Sequence, residues 1–288
     1  MSNFNMERIG LNVTLVCNLN CALCSNYAPY YKNQKHFSVD DLKKSIDRYF
    51  SIVTHVKKFI ISGGEPLLHP RLNEIIEVLN KYNSRMDVLE IITNGTIVPN
   101  DGLLRSLKKF GEKAYLLIDN YGDCLSTRIA SIVIALEENG TRFVVRDNNA
   151  NNAHCSGWVD YGDLTIKKGK TDDLTKQIYK KCAHPSKLKF CFGIVDGVMY
   201  PCTVYRRCKE LGSISDNYSE YIDLYDDSLT IEEQRNKISK IYSGDMLSAC
   251  AFCEGLCDDS KRFTPAIQLT DFEKNKVRLG ARFYAETK

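Results

Sequence analysis

The sequence predicts an α/β fold whose parallel strands curl into a closed or partial barrel. Short apolar runs rich in β-branched residues alternate with stretches of helical spacing, polar and glycine residues stand at the run ends, and five such units fit within about 145 residues. Crossovers between parallel strands are right-handed, and in a barrel the residues just after each strand line the active face.

Ile9 to Val16 is an apolar, β-rich run that ends at Cys17. Val39 to Phe50 has helical spacing in Val39, Leu42, Ile46, Tyr49 and Phe50, with Ser38 as N-cap. Lys58 to Ile61 is a strand stopped by Ser62-Gly63-Gly64, and Leu72, Ile75, Ile76 and Leu79 mark the next helix. Val88 to Ile92 is a strand closed by Thr93-Asn94-Gly95. Gly102 to Phe110 then reads as helix, Tyr115 to Ile118 as strand, Ser126 to Glu138 as helix and Arg142 to Val145 as strand. Trp158-Val159-Asp160-Tyr161-Gly162 fits either a sixth core strand or a substrate wall. Beyond about residue 165 the pattern changes: Phe190 to Val195 and Val198 to Tyr200 flank Asp196-Gly197, a two-residue hairpin signal.

The composition excludes several classes. With 288 residues, 43% hydrophobic and 26% charged, the chain is an ordinary globular protein rather than a disordered one. Thirty-nine Lys and Arg against 36 Asp and Glu leave +3, no whole-chain push toward nucleic acid. No apolar run approaches the roughly 20 residues of a membrane helix. The start, MSNFNMERIG, has no secretory pattern, so a cytoplasmic protein is expected. Residues 176–209 hold eight Lys and Arg against Asp196 alone, a net +7, and residues 210–260 hold three against twelve acidic residues, a net −9. Two solvated faces that partly neutralise each other explain this; a basic surface receiving an anionic substrate or an acidic electron donor is the sharper reading.

Twelve cysteines stand out in a chain without an export signal, and in a reducing compartment they point to metal or thiol chemistry. Cys17-x3-Cys21-x2-Cys24 follows the first strand, and three thiolates on one short loop can hold three irons of a cubane while leaving the fourth open to a ligand. A structural zinc site wants four ligands.

This pattern resembles the radical S-adenosylmethionine (SAM) superfamily. There, a CxxxCxxC loop holds a [4Fe–4S] cluster and SAM chelates its fourth iron. Gly63, Gly64, Glu65 and Pro66 match the GGEP motif after the second strand. Glycines let the backbone approach a ligand, and Glu65 offers a charge to SAM's ammonium. The resemblance places Asn94 and Asp119 at SAM's ribose and methionine portions and Arg146 at its carboxylate. Where the family often has an aromatic residue near the adenine, this chain has Leu23, with Tyr27 and Tyr30 close by.

The second cysteine set resembles the SPASM extension in its short Twitch form. Cys182, Gly197 and Cys202 meet C-x(9–15)-G-x4-C, and Cys250-x2-Cys253 closes the set. The resemblance implies one auxiliary [4Fe–4S] cluster on Cys182, Cys202, Cys250 and Cys253, with Cys191 and Cys257 as alternates and a four-thiol zinc site as the competing reading. It implies a partial (β/α)6 TIM-type barrel over residues 1–165, extending to about 180, a Twitch/SPASM-like domain over 180–260, and a C-terminal helix over 261–288. The implied chemistry starts with an electron from flavodoxin or ferredoxin, generates a 5′-deoxyadenosyl radical from SAM, and abstracts hydrogen from a small-molecule or peptide substrate. Oxidation or epimerisation of a sugar-like molecule is the leading expectation. Modification of a ribosomal peptide is the alternative, and a non-catalytic iron–sulfur or zinc protein the reading from another class. Cys124 and Cys155, beyond the fourth and fifth strands, are candidate hydrogen donors.

Overall fold

The computed structural model describes residues 3–149, 153–189 and 192–278. Its first half is five strand–helix units: β1 (Asn5–Thr14), α1 (Val39–Ile52), β2 (His55–Gly63), α2 (Leu72–Asn80), β3 (Met86–Thr93), α3 (Asp101–Lys108), β4 (Ala114–Asn120), α4 (Ile129–Asn139) and β5 (Arg142–Asp147). The second half carries β6 (Trp158–Val159), α5 (Asp172–Lys181), α6 (Ala183–Ser186), β7 (Phe192–Val195), β8 (Val198–Tyr200), α7 (Thr203–Glu210), β9 (Ile222–Asp223), α8 (Ile231–Ser243), β10 (Arg262–Phe263) and α9 (Asp271–Arg278).

Helix starts follow the capping expected from short polar side chains. Ser38 accepts from the Asp41 amide at α1, Asn100 from Leu103 at α3, and Thr171 from Leu174 at α5. Strand alternation sorts the sheet into two faces. Ile9, Leu11, Phe59, Ile61, Leu89, Ile91, Leu116 and Ile118 are fully buried in one core with the apolar faces of α1, α2 and α3. Their strand neighbours Asn12, Ser62, Glu90, Asp119 and Arg146 put polar groups on the other face.

The sheet order is β5-β4-β3-β2-β1-β7-β8-β9, open at β5 and β9, which is a partial rather than a closed barrel. Two expectations change here. The sixth parallel strand is β7, added beside β1 on the side away from β5. Trp158 and Val159 instead pair antiparallel with Phe263 and Arg262 in a separate two-stranded sheet. The segment over 261–288 is not helical throughout: β10 comes first, a turn at Ala266 follows, residues 267–269 run against the cysteine loop, and the described helix spans Asp271–Arg278. Residues beyond 278 and Phe190-Cys191, part of the expected hairpin strand, lie outside the described residues. The hairpin turn itself forms as predicted, with Asp196 and Gly197 at φ 51° and 77°. Because β7 to β9 continue the sheet of the first half, the C-terminal unit shares its framework.

Phe59 is fully buried and stacks on Phe50 with ring centroids 5.9 Å apart. Phe59→Ala is expected to cost about 3–5 kcal/mol in denaturant unfolding, as for aromatic truncation in a packed core.

Candidate functional site

β1 delivers the cysteine loop and β2 delivers the glycine motif beside it. Past the last residues of the ladder, the pairing continues: the Gly64 amide donates to the Thr14 carbonyl (2.8 Å) and the Glu65 amide to Val16 (2.9 Å). A Cβ at Gly63 would stand 2.2 Å from the Thr14 oxygen, and one at Gly64 2.2 Å from the Val16 oxygen. Gly63 also has φ 143°. The two glycines therefore bring one loop against the other; the backbone they approach is that of the cysteine loop, rather than a ligand as the motif alone suggests.

A cavity of about 460 Å³ opens over these strand ends. Cys17, Cys21, Cys24, Leu23, Gly63, Gly64, Glu65, Asn94, Asp119, Arg146 and Cys155 all line it, so most of the residues singled out in the sequence meet here. Pro66 does not; it lies behind the wall, where it opens a short turn capped by Glu65. Cys124 does not either, being exposed on the loop after β4. Tyr121, Asn148, Trp158 and Arg262 are further lining residues. Asn148 had a legible signal, two residues past Arg146 at the end of β5, whereas Arg262 arrives from a distant segment.

The hydrogen bonds show how each group is held. Glu65, fully buried, accepts from the Leu67 amide (3.0 Å), the Thr93 hydroxyl (2.9 Å) and the Asn94 amide (2.8 Å). Burial pushes its carboxyl up to about 7, against the lowering effect of these donors. Asp119 and Arg146, expected to act on separate parts of a ligand, form a bidentate pair with contacts of 2.6 and 2.8 Å. Asn148 adds a third donor to Asp119 at 2.7 Å. Adjacent registers on β4 and β5 make this pairing unavoidable. With that pair internally neutral, Glu65 is the acid left to face a cationic ligand.

The three thiols are buried, which pushes all of them up, Cys17 to about 12. For Cys24 the field of Arg206 acts in the opposite direction. Cys17 Sγ accepts from the Leu19 amide (3.5 Å), and Cys21 Sγ from the side-chain amide of Gln268 (3.3 Å). Gln268 belongs to the extended segment near the C-terminal end, whose backbone also bridges Cys21 and receives the Ala22 amide through Ile267. Its distance in sequence left no signal for this contact. Among the described residues no three His, Cys, Asp or Glu groups surround a single ion. Thiolates on separate irons of a cubane need not do so.

A second, apolar cavity is lined by Cys182, Cys202, Cys250 and Cys253 with Tyr161, Tyr179 and Leu247. Cys202 caps α7, accepting from the Tyr205 amide at 3.3 Å, and Cys253 accepts from the Gly255 amide at 3.2 Å. His184 also lines this cavity; its buried Nδ1 has no hydrogen-bond partner, and burial lowers it to about 4. Cys257 faces elsewhere, with its thiol 3.8 Å from the Ile178 carbonyl, and Cys191 lies outside the described residues. Tyr161 lines both cavities and stands between the two cysteine sets. The basic stretch 176–209 is partly internal, since Arg206 is buried and Arg207 packs over Tyr27, Tyr30 and Tyr31.

Residues 11–121 match the model of the radical SAM superfamily. Over that segment the chain is similar to radical SAM proteins. That family implies SAM and a [4Fe–4S] cluster, and the thiol-lined cavity with Glu65 at its wall has the donors both need. Among curated relatives, GTP 3′,8-cyclase of Helicobacter pylori strain HPAG1 is 32% identical over 115 residues, 38% of this chain and 34% of that protein. Probable GTP 3′,8-cyclase of Methanocaldococcus jannaschii is 32% identical over 128 residues, 41% of this chain and 42% of that protein. The chain thus spans well under half of these relatives. In fold it is similar to anSMEcpe with bound AdoMet, at TM-score 0.53 and 13% identity over 96% of each chain. A structure of anSMEcpe with AdoMet and the Cp18Cys peptide gives TM-score 0.52 at 12% identity, over 96% of this chain and 95% of that one. No helix among the described residues is long and apolar enough to cross a membrane.

Gly64→Ala is expected to cost roughly 1–3 kcal/mol through the clash with Val16. Because the shift falls on Cys17, the variant should also lose amplitude in the SAM-perturbed EPR signal of the reduced, iron-reconstituted protein.

Proposed function

We propose that this radical SAM protein abstracts hydrogen from a carbinol carbon of a sugar-like or other small polar molecule, with epimerisation as the favoured outcome and oxidation as the other. The observation that carries the reading is one cavity holding the cluster thiols, the Glu65–Asn94–Asp119–Arg146 set and the Cys155 thiol together. When bound, the cluster and SAM supply the reductive cleavage that yields a hydrogen-abstracting radical. The chain's own residues do the rest. Cys17, Cys21 and Cys24 hold the cluster, Glu65 balances SAM's cationic groups, and Asp119 orients Arg146 toward its carboxylate.

Cys155 is exposed, at the mouth of the same cavity. Its thiol would return a hydrogen atom to the substrate carbon from the face opposite abstraction. The thiyl left behind regains one electron and one proton, the electron coming from the external flavodoxin or ferredoxin. We assign Cys182, Cys202, Cys250 and Cys253 to an auxiliary [4Fe–4S] cluster. Those four thiolates would hold a group able to accept the electron that a substrate radical gives up on oxidation, and Tyr161 forms the wall between the two cavities.

A peptide substrate is the second reading. The fold neighbour anSMEcpe is known with a bound peptide, and β5 is an open edge with Val144 and Val145 51% and 40% exposed. The likeness to GTP 3′,8-cyclase covers 115 residues, 34% of that protein.

Cys21→Ala is expected to abolish 5′-deoxyadenosine formation while keeping about four irons per chain. Cys253→Ala should keep uncoupled SAM cleavage and stop turnover. Loss of all iron in the first variant, or full turnover in the second, removes the two-site assignment. For an epimerised sugar, turnover in D2O should place deuterium at the inverted carbon. Cys155→Ala should still form 5′-deoxyadenosine yet release an oxidised product; continued deuteration by this variant rules the thiol out as donor.

A further inference from the structure

We propose that Arg206 is a positioning residue for the SAM cluster: its buried guanidinium locks the cysteine loop to the helix presenting Cys202 and supplies a positive charge that eases cluster reduction. Arg206 is 2% exposed, among the largest fully buried side chains. It lies on α7, four residues after Cys202. Its Nη2 donates to the Asn26 carbonyl at 2.7 Å, two residues beyond Cys24. The Asn26 side chain in turn donates to the Gly63 carbonyl at 2.8 Å. One chain of contacts therefore runs from the auxiliary cavity to the cysteine loop and on to the glycine motif.

The charge of Arg206 is incompletely matched by the protein. Among the described residues its buried Nε makes no hydrogen bond, and its ion pair with Glu210 Oε1 at 3.5 Å is to a carboxylate, 28% exposed, that also serves Arg207 and the Tyr31 hydroxyl. A guanidinium remains charged at any physiological pH, and burying one without full pairing is costly. The Arg206 field reaches the Cys24 thiol, and the protein gains further negative charge there when that thiol becomes a metal-bound thiolate. A cation held close to a cluster stabilises its more negative, reduced form. Neighbouring Arg207 reinforces the docking, with its guanidinium 5.7, 5.8 and 5.5 Å from the ring centres of Tyr27, Tyr30 and Tyr31.

This inference rests on Cys17, Cys21 and Cys24 being the cluster ligands. The test is a potentiometric EPR titration of the SAM-responsive cluster signal in reconstituted full-length protein. Arg206→Gln and Arg206→Met should reduce the one-electron reduction equilibrium constant at least tenfold, a shift of 59 mV to more negative potential. Arg206→Lys, which keeps the charge and loses the planar fork, should stay within about threefold of wild type. The signal comes only from loaded clusters, so a lower yield of a neutral variant leaves its potential readable. Neutral variants that titrate with the wild type overturn the proposal. A wild-type reduced signal indifferent to SAM overturns the ligand assignment, and the proposal with it.

Discussion

The backbone pairing that carries β1 beyond its ladder and into the cysteine loop organises everything above the sheet. Gly64 and Glu65 donate to Thr14 and Val16, so the strand that ends in Cys17 and the strand that ends in Glu65 are held at main-chain contact distance. Side chains larger than hydrogen at positions 63 and 64 would prise them apart. From this contact, Glu65 is aimed at Thr93 and Asn94 of the next strand end, and Asn94 reaches back to Asn18 of the cysteine loop at 3.0 Å. Three strand ends thus close into one rigid rim around the thiols.

Charge in the cavity is arranged by the same framework. Asp119 and Arg146 cancel across β4 and β5, Glu65 is desolvated with its carboxyl pushed up by burial, and Arg206 sits buried beneath the cysteine loop. Each buried group is costly in isolation. Together they suit a site that takes up a cationic ligand and negatively charged, metal-bound sulfur. The second, apolar cavity is tied to the same framework, since α7 carries Cys202 at its cap and Arg206 one turn later.

Much of this was legible because the chemistry sits at strand ends, and strand ends are marked in the sequence. The five parallel strands, Ser38 as a cap, the Asp196-Gly197 turn and the convergence of Cys17, Cys21, Cys24, Glu65, Asn94, Asp119 and Arg146 all follow from local patterns. What was not legible depends on contacts between distant segments. The strand β7 joins β1 only because the second half folds back, and Gln268 reaches Cys21 across 247 positions. Arg206 reads as one more cation in a basic stretch until α7 is seen to dock on the cysteine loop. The Asp119–Arg146 pair needed the register between neighbouring strands. The glycine motif is plain in the sequence, but its physical reason, loop against loop, lies in the contact with Thr14 and Val16.

The most direct test of the account is anaerobic reconstitution of the wild-type chain with iron and sulfide, followed by reduction and addition of SAM, with iron content and 5′-deoxyadenosine measured on the same sample. About eight irons per chain together with SAM-dependent 5′-deoxyadenosine is the predicted result. Bound zinc in place of iron, or a fully iron-loaded protein that leaves SAM intact, would contradict it.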